Sequence, residues 1–174
     1  RSAASFREQL GLEREGFELA IAPVDPHGRL DVSQYRDLMD ERVLLASVMA
    51  VNNETGVVQP VREACALAHQ AGAAFHCDAA QGAGKMKLDV VALDIDYLSL
   101  SAHKCYGPMG IGALYVAATA PPLAPMQFGG GHQRGLRPGT EPVALVVGFG
   151  AAAAVALKGF ERDREHCTEL ANLL

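Results

Sequence analysis

The sequence lacks the basic charge excess, the runs of like charge and the repeats that mark several classes of protein. Its 174 residues carry 15 lysines and arginines against 20 aspartates and glutamates, a formal net charge of −5. Nucleic-acid-binding domains usually show a basic patch and a high isoelectric point, so this balance argues against a nucleic-acid partner. The 18 glycines and 9 prolines follow no period, which excludes collagen-like and low-complexity chains. With 49% hydrophobic residues, the chain can bury the core of a single domain.

Long apolar segments are also missing. The longest apolar segment without a charged residue, 143–157, has 15 residues, whereas a membrane-spanning helix needs about 20. We therefore expect a buried helix there and no membrane partner. The apolar run at the N-terminus is too short for a signal peptide. The chain does not begin with methionine, which indicates a processed chain or a fragment.

The cysteines show none of the spacings that mark a disulfide scaffold or a metal site. They are Cys65, Cys77, Cys105 and Cys167. This usage fits a reducing compartment, so we expect a cytoplasmic protein in which all four thiols are buried and structural. A zinc site that includes both His76 and Cys77 is disfavoured, because consecutive residues of a strand point to opposite faces.

Predicted strands and helices alternate along the chain. Apolar runs predict strands at residues 43–51, 73–77, 96–100 and 111–116, with a shorter candidate at 17–22. Helical signals lie at residues 31–41 and 61–70, and from Pro142 almost to the end. The alternation predicts an α/β fold with a central mixed, mostly parallel sheet flanked by helices. Residues 43–51 are apolar on both faces, which predicts a central strand.

Polar side chains follow three of the predicted strands, at the points where those strands end. Asn53 follows the first, Asp78 the second, and Ser101, His103 and Lys104 the third. In parallel sheets, ligands bind outside the carboxyl ends of the strands. The sequence therefore predicts one polar crevice at that edge of the sheet.

Lys104 and Asp78 form the most informative pair in this crevice. Taken singly, each has an ordinary alternative: a solvated loop lysine and an aspartate that caps the next turn. Together they supply an amine for a cofactor aldehyde and a carboxylate for a pyridinium nitrogen, the two protein groups that pyridoxal phosphate chemistry needs. Gln81 lies three residues after Asp78 and can reach the same ring.

Four segments resemble the NifS/IscS-like cysteine desulfurases, which are class V, fold-type I pyridoxal phosphate enzymes. They are residues 51–61 (VNNETGVVQPV), 76–90 (HCDAAQGAGKMKLDV), 101–116 (SAHKCYGPMGIGALYV) and 129–142 (GGGHQRGLRPGTEP). They occur in the family's order and at nearly its spacing, and the similarity runs over essentially the whole chain. The resemblance implies the large, cofactor-binding domain of that fold type.

The resemblance also implies a role for each matching residue. Lys104 would bind the cofactor covalently and remove the substrate Cα proton. Asp78 would pair with the pyridinium nitrogen, and Gln81 would bond the ring hydroxyl. Asn53 would lie near that hydroxyl and the substrate carboxylate. The phosphate would be held by Ser101, by His103 and, across the interface of a homodimer, by Thr140.

The implied reaction converts L-cysteine to L-alanine and leaves the sulfur on an enzyme cysteine as a persulfide. A scaffold or carrier protein would then receive the sulfur for iron–sulfur clusters or other thio-cofactors. The family's sulfur-accepting cysteine and its substrate-binding arginine follow the last of the four segments. Its phosphate loop precedes the first, and Ser2 stands near the position of its ring-stacking histidine.

We therefore expect residues 1–174 to be the central part of the large domain, without the N-terminal phosphate-loop segment and the C-terminal small domain. Such a chain should be inactive, or nearly so, on its own. Within the enzyme class, selenocysteine lyase and other class V aminotransferase-like enzymes are alternatives. A non-catalytic remnant or interaction module is an alternative of another class. A serine acylase motif over residues 101–104 is disfavoured because that motif opens a helix.

Overall fold

Four strands in the order β1-β2-β3-β4 form a mixed sheet in the computed structural model, which describes residues 11–173. The strands are β1 (Leu45–Met49), β2 (Ala74–Asp78), β3 (Tyr97–Ser101) and β4 (Gly112–Val116). The α-helices are α1 (Val32–Leu38), α2 (Val61–Gln70) and α3 (Val143–Ala171). Short 3-10 turns lie at Leu12–Glu15, Ala102–Cys105 and Gln133–Gly135.

Strands β1, β2 and β3 run parallel, and β4 returns antiparallel to β3. The register pairs Met49 with Asp78, and Asp78 with Ser99, so these three residues form one row across the sheet. The carboxyl ends of the three parallel strands consequently meet at one edge. The predicted mixed, mostly parallel sheet is confirmed.

The main core lies between one face of the sheet and helix α2. Its buried members from the strands and the helix are Ala46, Val48, Phe75, Cys77, Leu98, Val61, Ala64, Cys65 and Ala68. Removing these apolar side chains from water stabilises the contact between the two layers. The opposite face of the sheet carries Ser47, Met49, His76 and Asp78, the alternate residues of β1 and β2.

The prediction of a central strand at residues 43–51 is wrong for the part of the chain that the structure describes. Strand β1 pairs with β2 alone and forms the edge of the described sheet. Only its alternate residues Ala46 and Val48 are buried, while Leu45 and Met49 are exposed. The apolar character of residues 43–51 therefore did not predict which residues are buried on the face of β1 that α2 does not cover.

Three local predictions also need correction. Residues 17–22 form no strand, and the chain makes an isolated bridge between Val24 and Leu30 instead. Helix α1 begins after Asp31, whose carboxylate accepts hydrogen bonds from the backbone of Ser33 and Gln34. It ends at Leu38 rather than at residue 41, because the next residue already adopts an extended conformation. The sequence also predicts the end of a helix over residues 6–16; the part from residue 11 on contains only the short 3-10 turn Leu12–Glu15, and the part before residue 11 lies outside the described residues.

Helix α3 begins where the sequence predicts, but the expectation of a buried helix is wrong within residues 11–173. None of its residues is buried there. The helix lies against the loops beside the sheet, where Lys87 pairs with Glu161 at 3.0 Å. By length and composition, α3 could cross a membrane, a test that core helices of water-soluble proteins also pass.

Candidate active site

A cavity of about 260 Å³ opens at the carboxyl ends of β1, β2 and the turn after β3. Three apolar residues and four polar ones line it: Met49, Val51, Ala80, Asn53, Asp78, Gln81 and Lys104. The four polar residues are among the seven site residues predicted from the sequence. They come from three separate segments, and the sheet register brings them to one place.

Asp78 is the last residue of β2, and its carboxylate is exposed on the cavity side. Its Oδ1 accepts the backbone N–H of Ala80 at 2.9 Å, so the residue does cap the following turn. That turn places Gln81 on the same cavity. Among the described residues, none donates a hydrogen bond to the second carboxylate oxygen, which leaves it accessible to a donor in the cavity.

Lys104 lies in the 3-10 turn that follows β3 and is half-buried. The turn closes where the N–H of Gly107 donates to the carbonyl of Ala102 at 2.9 Å. A Cβ at Gly107 would lie 2.9 Å from that carbonyl oxygen, so a side chain there forces the backbone to shift. The lysine is thus held by a turn that backbone contacts make tight.

Asn53 sits in the loop after β1, and its neighbour Asn52 shapes that loop. Asn52 Oδ1 accepts the backbone N–H groups of Glu54 and Thr55, both at 2.9 Å. Such a bond from an asparagine side chain to the backbone two residues on is an Asx turn. Asn52 was not among the predicted site residues, although the run Asn-Asn-Glu-Thr-Gly over residues 52–56 is a turn signal that could have identified it.

The structure does not place the three predicted phosphate ligands on the cavity lining. Ser101 ends β3, and His103 lies next to Lys104 within the turn Ala102–Cys105, which we call the lysine turn. The two residues contact each other, with 3.0 Å between Oγ and Nδ1. Thr140 is exposed in the loop before α3. A hydroxyl and an imidazole thus lie beside Lys104, while Thr140 belongs to a separate surface segment.

Three of the four thiols are buried, and Cys167 on α3 is exposed. The expectation that all four are buried is therefore wrong for Cys167, because no part of the chain that the structure describes buries the residues of α3. Burial is the main cause that raises the pKa of Cys65 and of Cys77 to about 12. Both thiols are protonated at neutral pH and are poor nucleophiles. Among residues 11–173, no group of three or more His, Cys, Asp or Glu side chains is arranged to hold a metal ion.

The polar residues of the cavity fit the chemistry of pyridoxal phosphate. The amine of Lys104 matches an aldehyde, and the accessible oxygen of Asp78 matches a protonated ring nitrogen. The carboxamides of Asn53 and Gln81 can donate to a ring hydroxyl or a substrate carboxylate. Apolar walls from Met49 and Val51 suit an aromatic ring, since ligand pockets combine apolar surface with a few polar groups.

Comparison with known proteins supports the same assignment. The family model described as aminotransferase class-V matches residues 4–174. Cysteine desulfurase IscS of Rickettsia rickettsii (strain Iowa) is 44% identical over 160 residues, which cover 91% of this chain and 39% of the relative.

Solved structures agree with the sequence relatives. A NifS-like protein superposes with a TM-score of 0.91 at 34% identity, covering 99% of this chain and 47% of that one. SspA in complex with cysteine superposes with a TM-score of 0.79 at 39% identity, covering 88% of this chain and 45% of that one. The chain thus spans about two fifths of the length of the IscS relative and under half of both structures.

Proposed function

The chain belongs to the class V aminotransferase family, and we propose that it forms the central part of the cofactor-binding domain of a pyridoxal phosphate-dependent cysteine desulfurase. The observation that carries the proposal is the convergence of Lys104, Asp78, Gln81 and Asn53 on one cavity. The cysteine bound to SspA and the desulfurase names of the relatives support L-cysteine as the substrate.

When bound, pyridoxal phosphate supplies an aldehyde for amines and a ring that withdraws electrons from the substrate Cα. Lys104 would hold the group covalently through Nζ and, once its amine is free again, would accept the proton from the substrate Cα. The carboxylate of Asp78 accepts a hydrogen bond from the protonated ring nitrogen. Gln81 donates its amide to the ring hydroxyl oxygen, and Asn53 donates to that oxygen or to the substrate carboxylate.

The phosphate is held outside the cavity lining in this proposal. Ser101 precedes the lysine turn and His103 lies within it, where a hydroxyl and an imidazole can both donate to an anion. Thr140, exposed on its loop, reaches the phosphate of a second copy. The functional form is then a homodimer in which each copy contributes to its partner's site.

Transfer of the sulfur needs a thiolate that can approach the substrate. Cys65 and Cys77 are protonated and face the core, and Cys105 is buried with its thiol donating to the carbonyl of Ala102 at 3.2 Å. Cys167 is exposed on α3, but it is not part of the cavity lining. The acceptor thiolate is therefore contributed from outside residues 11–173 in this proposal, and a carrier or scaffold protein takes the sulfur from it. A reducing, cytoplasmic location suits this chemistry, because the accepting cysteine must be a free thiol.

Replacement of Lys104 tests the proposal. The native protein, incubated with pyridoxal phosphate and reduced with borohydride, should carry the cofactor covalently on the peptide that contains Lys104. Lys104→Ala should abolish this attachment, as measured by peptide mass spectrometry. Lys85→Ala is the matched control, since Lys85 is exposed and outside the cavity lining. Attachment that survives Lys104→Ala, or that is absent from the native protein, would refute the proposal.

A further inference from the structure

His76 forms a hydrogen-bonded row across three strands on the face of the sheet that α2 does not cover. Its Nδ1 lies 2.8 Å from the hydroxyl of Ser47 on β1, and its Nε2 lies 3.2 Å from the hydroxyl of Ser99 on β3. One imidazole therefore links β1, β2 and β3 through side chains, in addition to the backbone ladders. The proposed chemistry assigns no role to this row.

The row lies next to Asp78, on the same face of the sheet. His76 precedes Asp78 by two residues on β2, so both side chains point to the same face of the sheet. In the register, Asp78 lies between Met49 and Ser99, and Ser99 is the residue that His76 bonds. Any shift of β1 or β3 relative to β2 at this level would also move the strand end that carries Asp78.

The surroundings of His76 favour its neutral form at the pH of a cell. Burial lowers its pKa below the ordinary value, and the nearby carboxylate of Asp78 opposes this change only in part. The groups that touch the ring from β1 and β3 are the uncharged hydroxyls of Ser47 and Ser99. A neutral imidazole has one donor and one acceptor nitrogen, and a hydroxyl can serve either, so both serines are satisfied without a charge.

We propose that His76 is a positioning residue that fixes the carboxylate of Asp78 for the ring nitrogen of the cofactor. Because His76 is neutral, it places no second positive charge beside that carboxylate to compete with the ring nitrogen. The inference rests on the proposed binding of pyridoxal phosphate at Asp78. A proton on His76 and a cationic ring nitrogen at Asp78 would repel each other, because the two residues stand two positions apart on the same face of β2. By linkage, acidification that protonates His76 weakens cofactor binding, and bound cofactor makes His76 harder to protonate.

Two variants separate the geometric role from the charge. His76→Phe fills the space but leaves both serine hydroxyls without their partner. It should weaken cofactor binding by roughly three- to tenfold, the equivalent of about one hydrogen bond. His76→Gln keeps a neutral donor and acceptor, so at about pH 8, where an ordinary histidine is also neutral, its affinity should stay within about threefold of native.

The readout is the dissociation constant of pyridoxal phosphate, measured on the native protein and its variants by absorbance titration between about pH 5 and about pH 8. Other groups of the protein and cofactor titrate in this range, so the informative quantity is the difference between proteins. In the native protein, cofactor affinity should fall as the pH is lowered. In His76→Gln this fall should be smaller. His69→Gln is the matched control: it removes a histidine that contacts Asp96 at 2.8 Å beyond the opposite ends of the strands, and it should leave the native pH dependence in place.

Identical pH dependence in native protein and His76→Gln would overturn the inference, as would native affinity in His76→Phe. Should His76→Phe fail to fold, His76→Gln alone decides. A native protein that does not bind pyridoxal phosphate at any pH would instead overturn the proposed function, and the positioning role with it. The two failures are thus distinguished by the native titration.

Discussion

Replacing Asp78 with asparagine isolates the charge of the carboxylate from its structural role. Asp78 Oδ1 accepts the N–H of Ala80 at 2.9 Å and so caps the turn that carries Gln81. The carbonyl oxygen of an asparagine can accept the same bond, because the two side chains have the same shape. The variant should therefore keep the turn and change only the group offered to the cavity.

The magnitude follows from the hydrogen bond that is lost. The second oxygen of Asp78 accepts no donor among the described residues, so in the proposal it is the acceptor for the protonated ring nitrogen. In the variant, an NH₂ group, which can only donate, takes its place. Hydrogen bonds to charged groups contribute about 1.5–3 kcal/mol, and about 1.4 kcal/mol changes an equilibrium tenfold. Cofactor affinity should fall roughly ten- to a hundredfold.

The assay is a titration of each protein with pyridoxal phosphate, followed by absorbance, with circular dichroism to check the fold. Asp89→Asn is the matched control, because Asp89 also caps a turn, accepting the N–H groups of Val91 and Ala92 at 3.1 and 2.9 Å, but lies outside the cavity lining. Unchanged affinity in Asp78→Asn would refute the reasoning and leave Asp78 as a turn cap alone.

Three further predictions concern thiol reactivity, sulfide release and stability in acid. Of the four thiols, Cys167 should react first with a thiol reagent in the native fold, since it is exposed while the other three are buried and burial raises the pKa of Cys65 and Cys77 to about 12. Because none of the four lines the cavity, the 174-residue chain given cysteine and a reductant should form no sulfide above the free-cofactor background in a colorimetric assay. The hydrogen bond from the Ser33 hydroxyl and those from Gln34 lower the pKa of Asp31 to about 2, against an ordinary value of 3.8. The stability that this helix cap contributes should therefore be lost as the pH falls from about 4 to about 2. Asp31→Asn should flatten that part of an acid unfolding curve.

The sequence predicted the features that depend on local signals. Helix α2 was predicted at its observed bounds because an apolar stripe lies between two breakers, Pro60 and Gly72. The convergence of Asn53, Asp78 and Lys104 also followed, since parallel strands of an α/β fold end at one edge. These are properties that periodicity and topology determine without knowledge of individual contacts.

Features that depend on what covers a surface could not be predicted in this way. The apolar residues of β1 and α3 resemble core residues, yet Leu45 and Val147 are exposed in the described chain. The row of His76 with Ser47 and Ser99 was missed for another reason. Its three members lie 29 and 23 residues apart, and only the strand register brings them into contact. No local pattern encodes a register.

The lysine turn is held by two segments that are close together along the chain, unlike the rest of the cavity. Strands β3 and β4 form a hairpin whose loop contains Lys104, and the loop is closed where the N–H of Ala102 donates to the carbonyl of Ile111 at 3.1 Å. Asp78 and Asn53, in contrast, reach their places only after strands joined by a helix have paired. Short loops close faster than long ones, because less chain entropy is lost. Lys104, the proposed attachment point of the cofactor, can thus acquire its turn before Asp78 and Asn53 are brought together by the sheet.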